Sequence, residues 1–127
     1  MTSGVAEDQA GPALVHTGRV HDGAGLQTGG VYIIRRAYPS GAARWVFTAD
    51  QEATALDADT EFGYVAFNTG ELVILRTDSG EEQHRVALHV DGHRVVPLSL
   101  ARYGRDRLAV GTLDGRVLDL TVTAAPA

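Results

Sequence analysis

Short apolar segments separated by tight turns fill almost the whole sequence, and this pattern restricts the chain to an all-β fold. The segments are five to eight residues long and rich in Val, Ile, Leu, Thr and aromatic residues, which favour a pleated, half-buried surface. No window of eleven or more residues has an apolar helical stripe bounded by capping residues. The predicted strands are residues 13–20, 31–38, 44–48, 53–58, 63–67, 72–76, 84–89, 95–101, 107–112 and 116–122.

The connectors between these segments are short and contain residues that tolerate a positive φ angle. Examples are residues 68–70 (Asn-Thr-Gly), 91–92 (Asp-Gly) and 113–115 (Leu-Asp-Gly). Short connectors join antiparallel neighbours, because parallel strands need a long crossover. The sequence therefore predicts an antiparallel meander.

One predicted strand is apolar at four successive positions. Residues 72–75 are Leu-Val-Ile-Leu, and successive side chains of a strand point to opposite faces of its sheet. A sheet with one face in water would alternate apolar with polar residues instead. We therefore expect stacked sheets that cover this strand on both sides, as in a β-sandwich or a β-propeller.

The sequence also contains an internal repeat. When Gly70 is aligned with Gly115, residues 63–75 fall on residues 108–120, with a period of 45 residues. A third, partial copy aligns Gly30 with Gly70, so that residues 31–36 match residues 71–76 with a period of 40. Periods of about 40 to 45 residues are typical of the four-stranded blades of propellers.

The last repeat, residues 92–122, resembles a WD40 repeat. It contains the Gly-His pair at residues 92–93, and Thr112 and Asp114 follow at the corresponding strand and turn positions. The resemblance implies a β-propeller fold, a role as a protein-interaction scaffold, and a buried hydrogen-bond network of His93, Thr112 and Asp114.

Two departures from the family pattern accompany this resemblance. Residues 120–121 are Leu-Thr where the family has Trp-Asp. In the preceding repeat, Phe67 and Thr69 occupy the positions of the Ser/Thr and Asp of the network.

We therefore predict an all-β fold, an antiparallel meander of four-stranded, blade-like sheets that forms an incomplete β-propeller; a β-sandwich or barrel is the alternative. The predicted single domain is 13–122, with a partial repeat at 13–50 and further repeats at 51–91 and 92–122. Residues 1–12 are predicted to be a flexible N-terminal tail, and residues 123–127 a C-terminal tail.

Ten strands make about two and a half blades, whereas closed propellers have about four to eight. A repeat array that stops early exposes apolar faces and strand edges. We therefore expect the chain to bind further blades, either in a homo-oligomer, with a head-to-tail ring as the natural geometry, or on a larger protein partner. A self-contained sandwich or barrel would need no such partner.

Composition excludes several classes of function. All eleven basic residues are Arg, which removes Schiff-base and P-loop chemistry that requires Lys, and no Cys is present to form disulfides or thiolate sites. The net charge of −5 argues against nucleic-acid binding. No apolar window is long enough to cross a membrane, and we expect a cytoplasmic protein.

No catalytic, metal-binding or cofactor-binding motif stands out. His84 and His89 are an odd number of positions apart on one predicted strand, so they point to opposite faces. Asp57 and Asp59 share a strand face, but carboxylates in such an acidic turn region are more often solvated than catalytic. We predict a chain that is not an enzyme and uses no cofactor or metal.

Several aromatic and Arg residues near the turns match the composition of protein interfaces. These possible interface residues are Tyr38, Trp45, Arg102, Tyr103 and Arg105. The function predicted from the sequence is that of a non-catalytic, propeller-like interaction and assembly module. The alternative is a β-barrel or sandwich that binds a small molecule or acts as a minor hydrolase.

Overall fold

The computed structural model describes residues 3–8, 11–21, 26–104 and 106–122. In this part of the chain every regular element is a strand, and all ten predicted strands are present. The strands are β1 (Ser3–Asp8), β2 (Gly11–His21), β3 (Leu26–Ala37), β4 (Ala43–Ala49), β5 (Ala53–Ala58), β6 (Phe62–Phe67), β7 (Glu71–Arg76), β8 (Glu82–Ala87), β9 (His89–Val90), β10 (His93–Arg94), β11 (Pro97–Gly104), β12 (Arg107–Thr112) and β13 (Val117–Thr121).

The strands form three meandering antiparallel sheets and one short hairpin. The first sheet has the order β1-β2-β3-β4, the middle sheet β5-β6-β7-β8, and the last sheet β11-β12-β13, while β9 and β10 pair only with each other. Strand β5 contacts both β1 and β11, so the first strands of the three sheets lie side by side. This confirms the predicted meander of blade-like sheets; the described residues form no closed barrel.

The middle sheet is covered on both faces, as the apolar run in β7 predicts. Val73 and Leu75 are fully buried against the first sheet, in a cluster that includes Ile33. Their neighbours Leu72 and Ile74 point the other way and pack in a second cluster against the last sheet. Successive residues of one strand thus contribute to two different cores.

Among the described residues, the first and last sheets each pack against another sheet on one face only. The uncovered face of the first sheet is called the back face, and that of the last sheet the front face. Register and alternation place Leu14, His16, Tyr32, Ile34 and Val46 on the back face. They place Ser99, Ala101, Ala109, Gly111, Val117 and Asp119 on the front face. Val46 is 54% exposed and Val117 is 79% exposed, whereas Val73 is completely buried. The exposure of the back face is uneven, since Ile34 on the same face is 6% exposed.

The prediction of an N-terminal tail over residues 1–12 is wrong for part of that range. Residues 3–8 form β1, which pairs with β2 from Ser3↔His16 to Asp8↔Gly11. The segment was missed because backbone pairing to a neighbouring strand does not require the apolar alternation that reveals a strand in a sequence. The first repeat is consequently a complete four-stranded sheet instead of a partial one. Residues 1–2, 9–10 and 123–127 of the predicted tails lie outside the described residues.

The structure also shifts the alignment of the first repeat by one position. Val31 and Ile33 face the middle sheet, just as Leu72 and Ile74 face the last sheet. The predicted alignment, which paired Gly30 with Gly70, would have turned Val31 and Ile33 to the opposite face. Gly29 has a positive φ of 68°, as Gly70 does with 91°, and is the better match.

Candidate functional site

Two acidic residues at the end of β5 join the middle sheet to the last sheet. Asp57 accepts a hydrogen bond at Oδ2 from the backbone N–H of Arg102, over 2.7 Å. The Nε atom of Arg102 lies 2.6 Å from Oδ2 of Asp59 in an ion pair. The side chain of Asp59 is 15% exposed and that of Arg102 is 31% exposed, so solvent screens this pair less than it screens a surface pair. Arg102, predicted as an interface residue, therefore lies at an internal junction.

Asp59 also organises the turn between β5 and β6. Its Oδ1 accepts hydrogen bonds from the backbone N–H groups of Glu61 and Phe62, each over 2.7 Å. Its carbonyl oxygen accepts a hydrogen bond from the hydroxyl of Thr77 over 2.9 Å. The side chain of Asp59 thus stabilises the β5–β6 turn and also links this turn to the last sheet.

The phenol of Tyr64 lies beside this cluster. Its hydroxyl is 3.5 Å from Oδ2 of Asp59, and its side chain is fully buried. Burial, followed by the negative charge of Asp59, raises the pKa of Tyr64 to about 12, because both disfavour the phenolate.

We expect the protein to lose stability as the pH rises from 10 towards 12. In this window the tyrosine of the unfolded chain, with its ordinary pKa of 10.0, releases its proton while the folded phenol keeps it. The unfolded state therefore binds fewer protons, and the stability contributed by Tyr64 falls by on the order of 2 kcal/mol. Denaturant unfolding across this pH range measures the loss. A Tyr64→Phe variant should show a shallower decline; an identical slope in both proteins would contradict the assignment.

A second junction joins the first sheet to the middle sheet. The backbone carbonyl of Thr77 accepts hydrogen bonds from Nε1 of Trp45 over 2.7 Å and from Nη1 of the buried Arg35 over 2.9 Å. The Trp45 ring also packs on Gly80, where a Cβ atom would lie 2.6 Å from the ring. Trp45, predicted as an interface residue, is therefore a contact between two sheets of the same chain.

The predicted network of His93, Thr112 and Asp114 forms only in part. The Thr112 hydroxyl donates to Oδ1 of Asp114 and accepts a hydrogen bond from the backbone N–H of Arg116 over 3.1 Å. The hydrogen bond from Thr112, followed by that from Arg116, lowers the pKa of Asp114. His93 is exposed and lies in β10, which pairs with β9 through Val90. Among the described residues, no hydrogen bond links His93 to Thr112 or Asp114, so the part of His93 in the network stays a prediction.

We expect Thr112→Val to lower the free energy of unfolding by about 1 kcal/mol, since it removes a hydroxyl that both donates and accepts. His93→Ala, the matched control, removes an exposed side chain and should leave stability close to wild type. Thermal or denaturant melts of both variants test this difference. Equal destabilisation by the two substitutions would place His93 in the network.

Of the remaining predicted interface residues, Tyr38 and Tyr103 are exposed and belong to different sheets. Tyr38 is 68% exposed in the turn after β3, and Tyr103 is 55% exposed at the end of β11. The Tyr103 hydroxyl donates to Asp119, which also pairs with Arg107, and these hydrogen bonds lower the pKa of Asp119. Arg105 lies outside the described residues.

Two small clefts lie among the described residues. One, of about 150 Å³, is lined by residues that include Arg19 and Glu52, which form an ion pair. The other has about 290 Å³ and lies beside Asp50 and Arg85. Within the described part of the chain, no three His, Asp or Glu residues are grouped so that they could hold a metal ion. No helix in the same residues is long and apolar enough to cross a membrane.

Comparisons with known proteins identify the fold. No protein-family model matches the chain, and no curated protein matches it. The chain is similar to the crystal structure of BamB from Moraxella catarrhalis, with a TM-score of 0.66 and 23% sequence identity over 94% of this chain and 33% of that chain. It is also similar to the crystal structure of the computationally designed Ika4 protein, with a TM-score of 0.58 and 14% identity over 94% of this chain and 90% of that chain.

These similarities concern the fold alone, because both identities are low. BamB is a β-propeller protein, and the chain spans 33% of the BamB chain. Together with the stack of three sheets, this match shows an all-β, incomplete β-propeller fold.

Proposed function

We propose that this chain is a non-catalytic, propeller-like interaction module whose two end sheets dock onto further blades, supplied by other copies of itself or by a larger protein. The observation that carries the proposal is the contrast between the middle sheet, covered on both faces, and the first and last sheets, each covered on one. Sheets in a propeller are stabilised by neighbours on both sides, so an uncovered face is a natural contact surface.

The exposed apolar side chains of the end sheets support this role. Val46 on the back face and Val117 on the front face are both more than half exposed, whereas the residues of β7 that face a neighbouring sheet are 0 to 6% exposed. Removing apolar area from water stabilises an interface by roughly 25 cal/mol per Å². Covering the end faces would therefore be favourable.

The engagement of the polar groups supports a non-enzymatic role. In the polar cluster between the middle and last sheets, Asp57 and Asp59 both bind Arg102 and so hold the two sheets together. Groups held in this way are structural ties, and they do not converge on a cleft that could hold a substrate. A cytoplasmic location stays a prediction, which microscopy of the tagged chain can test.

Light scattering of the purified chain, from micromolar to near-millimolar concentration, tests the proposal. We expect a mass above that of the 13.5 kDa monomer, with a fraction that rises with concentration. A mass that stays at the monomer value throughout would contradict self-assembly. In that case the proposal predicts docking onto a larger protein through the end faces. Substitutions at Val46 and Val117 should then weaken binding to that protein.

A further inference from the structure

We propose that the occupant of both end faces is a second copy of this chain, joined head to tail, with the front face of one copy packed on the back face of the next. This inference rests on the proposed function and specifies its partner and its contact residues. It is argued from the positions of the two faces in the stack, from the sizes of their side chains, and from their charges.

Sheets of this chain pack on one another twice, each time with the same two kinds of face. Each end face is one of these two kinds and has no partner sheet among the described residues. At each internal contact, the front of one sheet packs on the back of the next: the first sheet on the middle sheet, and the middle sheet on the last. The front face of the last sheet and the back face of the first sheet are the two halves left over. A head-to-tail copy joins them in the same order, and such heterologous contacts close into rings or extend as filaments.

The front face of the last sheet has unusually small side chains. In the repeat alignment, Tyr64 and Ala66 on the front of the middle sheet correspond to Ala109 and Gly111. A Cβ atom at Gly111 would lie 2.4 Å from the hydroxyl of Ser99, so the serine side chain covers the glycine. The centre of this face is therefore a shallow floor of Ser, Ala and Gly residues.

The back face of the first sheet has correspondingly large side chains. Its centre is Tyr32, whose ring lies over Gly18; a Cβ atom there would be 2.4 Å from the ring. His16 packs edge-on against the same ring, with centroids 6.3 Å apart. In the contact between the middle and last sheets, by contrast, the large ring belongs to a front face, because Tyr64 lies on the front of the middle sheet. The front face of the last sheet thus has small side chains where the back face of the first sheet has large ones. Such complementary sizes favour close packing between the two faces.

The charges on the two faces are compatible with this contact. Beside His16 on the back face lies Arg36, whose Nε donates to Nε2 of that ring over 3.1 Å. On the front face, Asp119 is paired with Arg107, so the face has no net charge there. A head-to-tail contact therefore brings a basic group to a neutral face that contains a carboxylate. A contact between two back faces would bring two Arg36 side chains together instead.

Two single substitutions test the proposal, because each one blocks a different half of the contact. Ala109→Arg fills the floor of the front face, and Val46→Arg places a charge on the back face. We expect each variant alone to be monomeric by light scattering at a concentration where the wild type is assembled. An equal mixture of the two should form dimers, since each pair retains one intact front face and one intact back face, and should not grow further. Val86→Arg, on the middle sheet, is the matched control and should assemble like the wild type.

The outcomes separate this inference from the proposed function. If the wild type assembles but the mixture stays monomeric, the two substitutions do not block complementary halves of one contact, and the head-to-tail inference is overturned while assembly stands. If either variant assembles alone as the wild type does, the substituted face is not in the contact, and the inference fails in the same way. If the wild type is a monomer at every concentration, self-assembly itself is wrong. Thermal melts near that of the wild type confirm that the variants are folded.

Discussion

Replacing Ile74 or Leu75 with alanine is expected to lower the free energy of unfolding by about 2 to 5 kcal/mol in each case. These neighbours in β7 point to opposite faces of the middle sheet, where they are 6% and 0% exposed. Each substitution deletes buried methyl groups and leaves a cavity, one in each core cluster. A strand in a sheet with one wet face would show a large loss at one of the two positions only.

The matched control for this pair lies at the end of the stack. Val117→Ala removes an apolar side chain that is 79% exposed, and it should change the free energy of unfolding by less than about 0.5 kcal/mol. Denaturant unfolding, at a concentration low enough to keep the chain monomeric, measures all three variants. A loss at Ile74 as small as the loss at Val117 would mean that the last sheet does not cover the middle sheet.

Replacing Asp59 with alanine is expected to cost about 2 to 4 kcal/mol. The substitution removes the acceptor of two backbone N–H groups in the β5–β6 turn and the partner of Arg102 in the ion pair between two sheets. Part of the cost comes from the groups left behind, because Arg102 and the turn amides lose their partner in a partly buried place. Denaturant unfolding gives the size of the loss.

Asp78 provides the comparison for this variant. It is 54% exposed and forms an ion pair with Arg76 in the turn after β7, so solvent screens the interaction. Asp78→Ala should therefore leave stability close to wild type. If Asp59→Ala and Asp78→Ala behave alike, the carboxylate of Asp59 contributes nothing beyond a surface ion pair, and the junction between the middle and last sheets relies on apolar packing and on the hydrogen bond to Asp57.

Most of the fold could be predicted from the sequence because its signals are local. Every strand of the middle sheet is bounded by a tight turn, and the apolar run at residues 72–75 predicts two covered faces without any knowledge of the neighbours. Strand β1 could not be predicted in this way, since Ser3–Asp8 has few apolar residues and is held by backbone pairing to β2. The hairpin of β9 and β10 was predicted only as a turn at residues 91–92, because two-residue strands have no periodicity.

The junctions between the sheets were harder to predict, because they depend on which turns meet in three dimensions. Asp57 and Asp59 are predicted to share a strand face, but Asp59 lies in the turn after β5, and their common partner Arg102 is more than forty residues away in the sequence. Trp45 and Arg102 are predicted as interface residues from their residue type and their place near turns, but nothing local shows that the surface they bind belongs to the same chain. His93 was assigned to the network by resemblance alone, and the structure places it exposed in the β9–β10 hairpin.

The central claim is that the end faces of the first and last sheets are the contact surfaces of this chain. The most direct test is an NMR dilution series of the wild-type chain in which the chemical shift of each residue is followed. We predict that signals of the end faces, including Tyr32, Val46, Ala109 and Val117, shift with concentration, while those of Val65 and Val73 in the middle sheet stay constant. Shifts centred on the middle sheet, or none on either end face when the mass rises, would contradict the account.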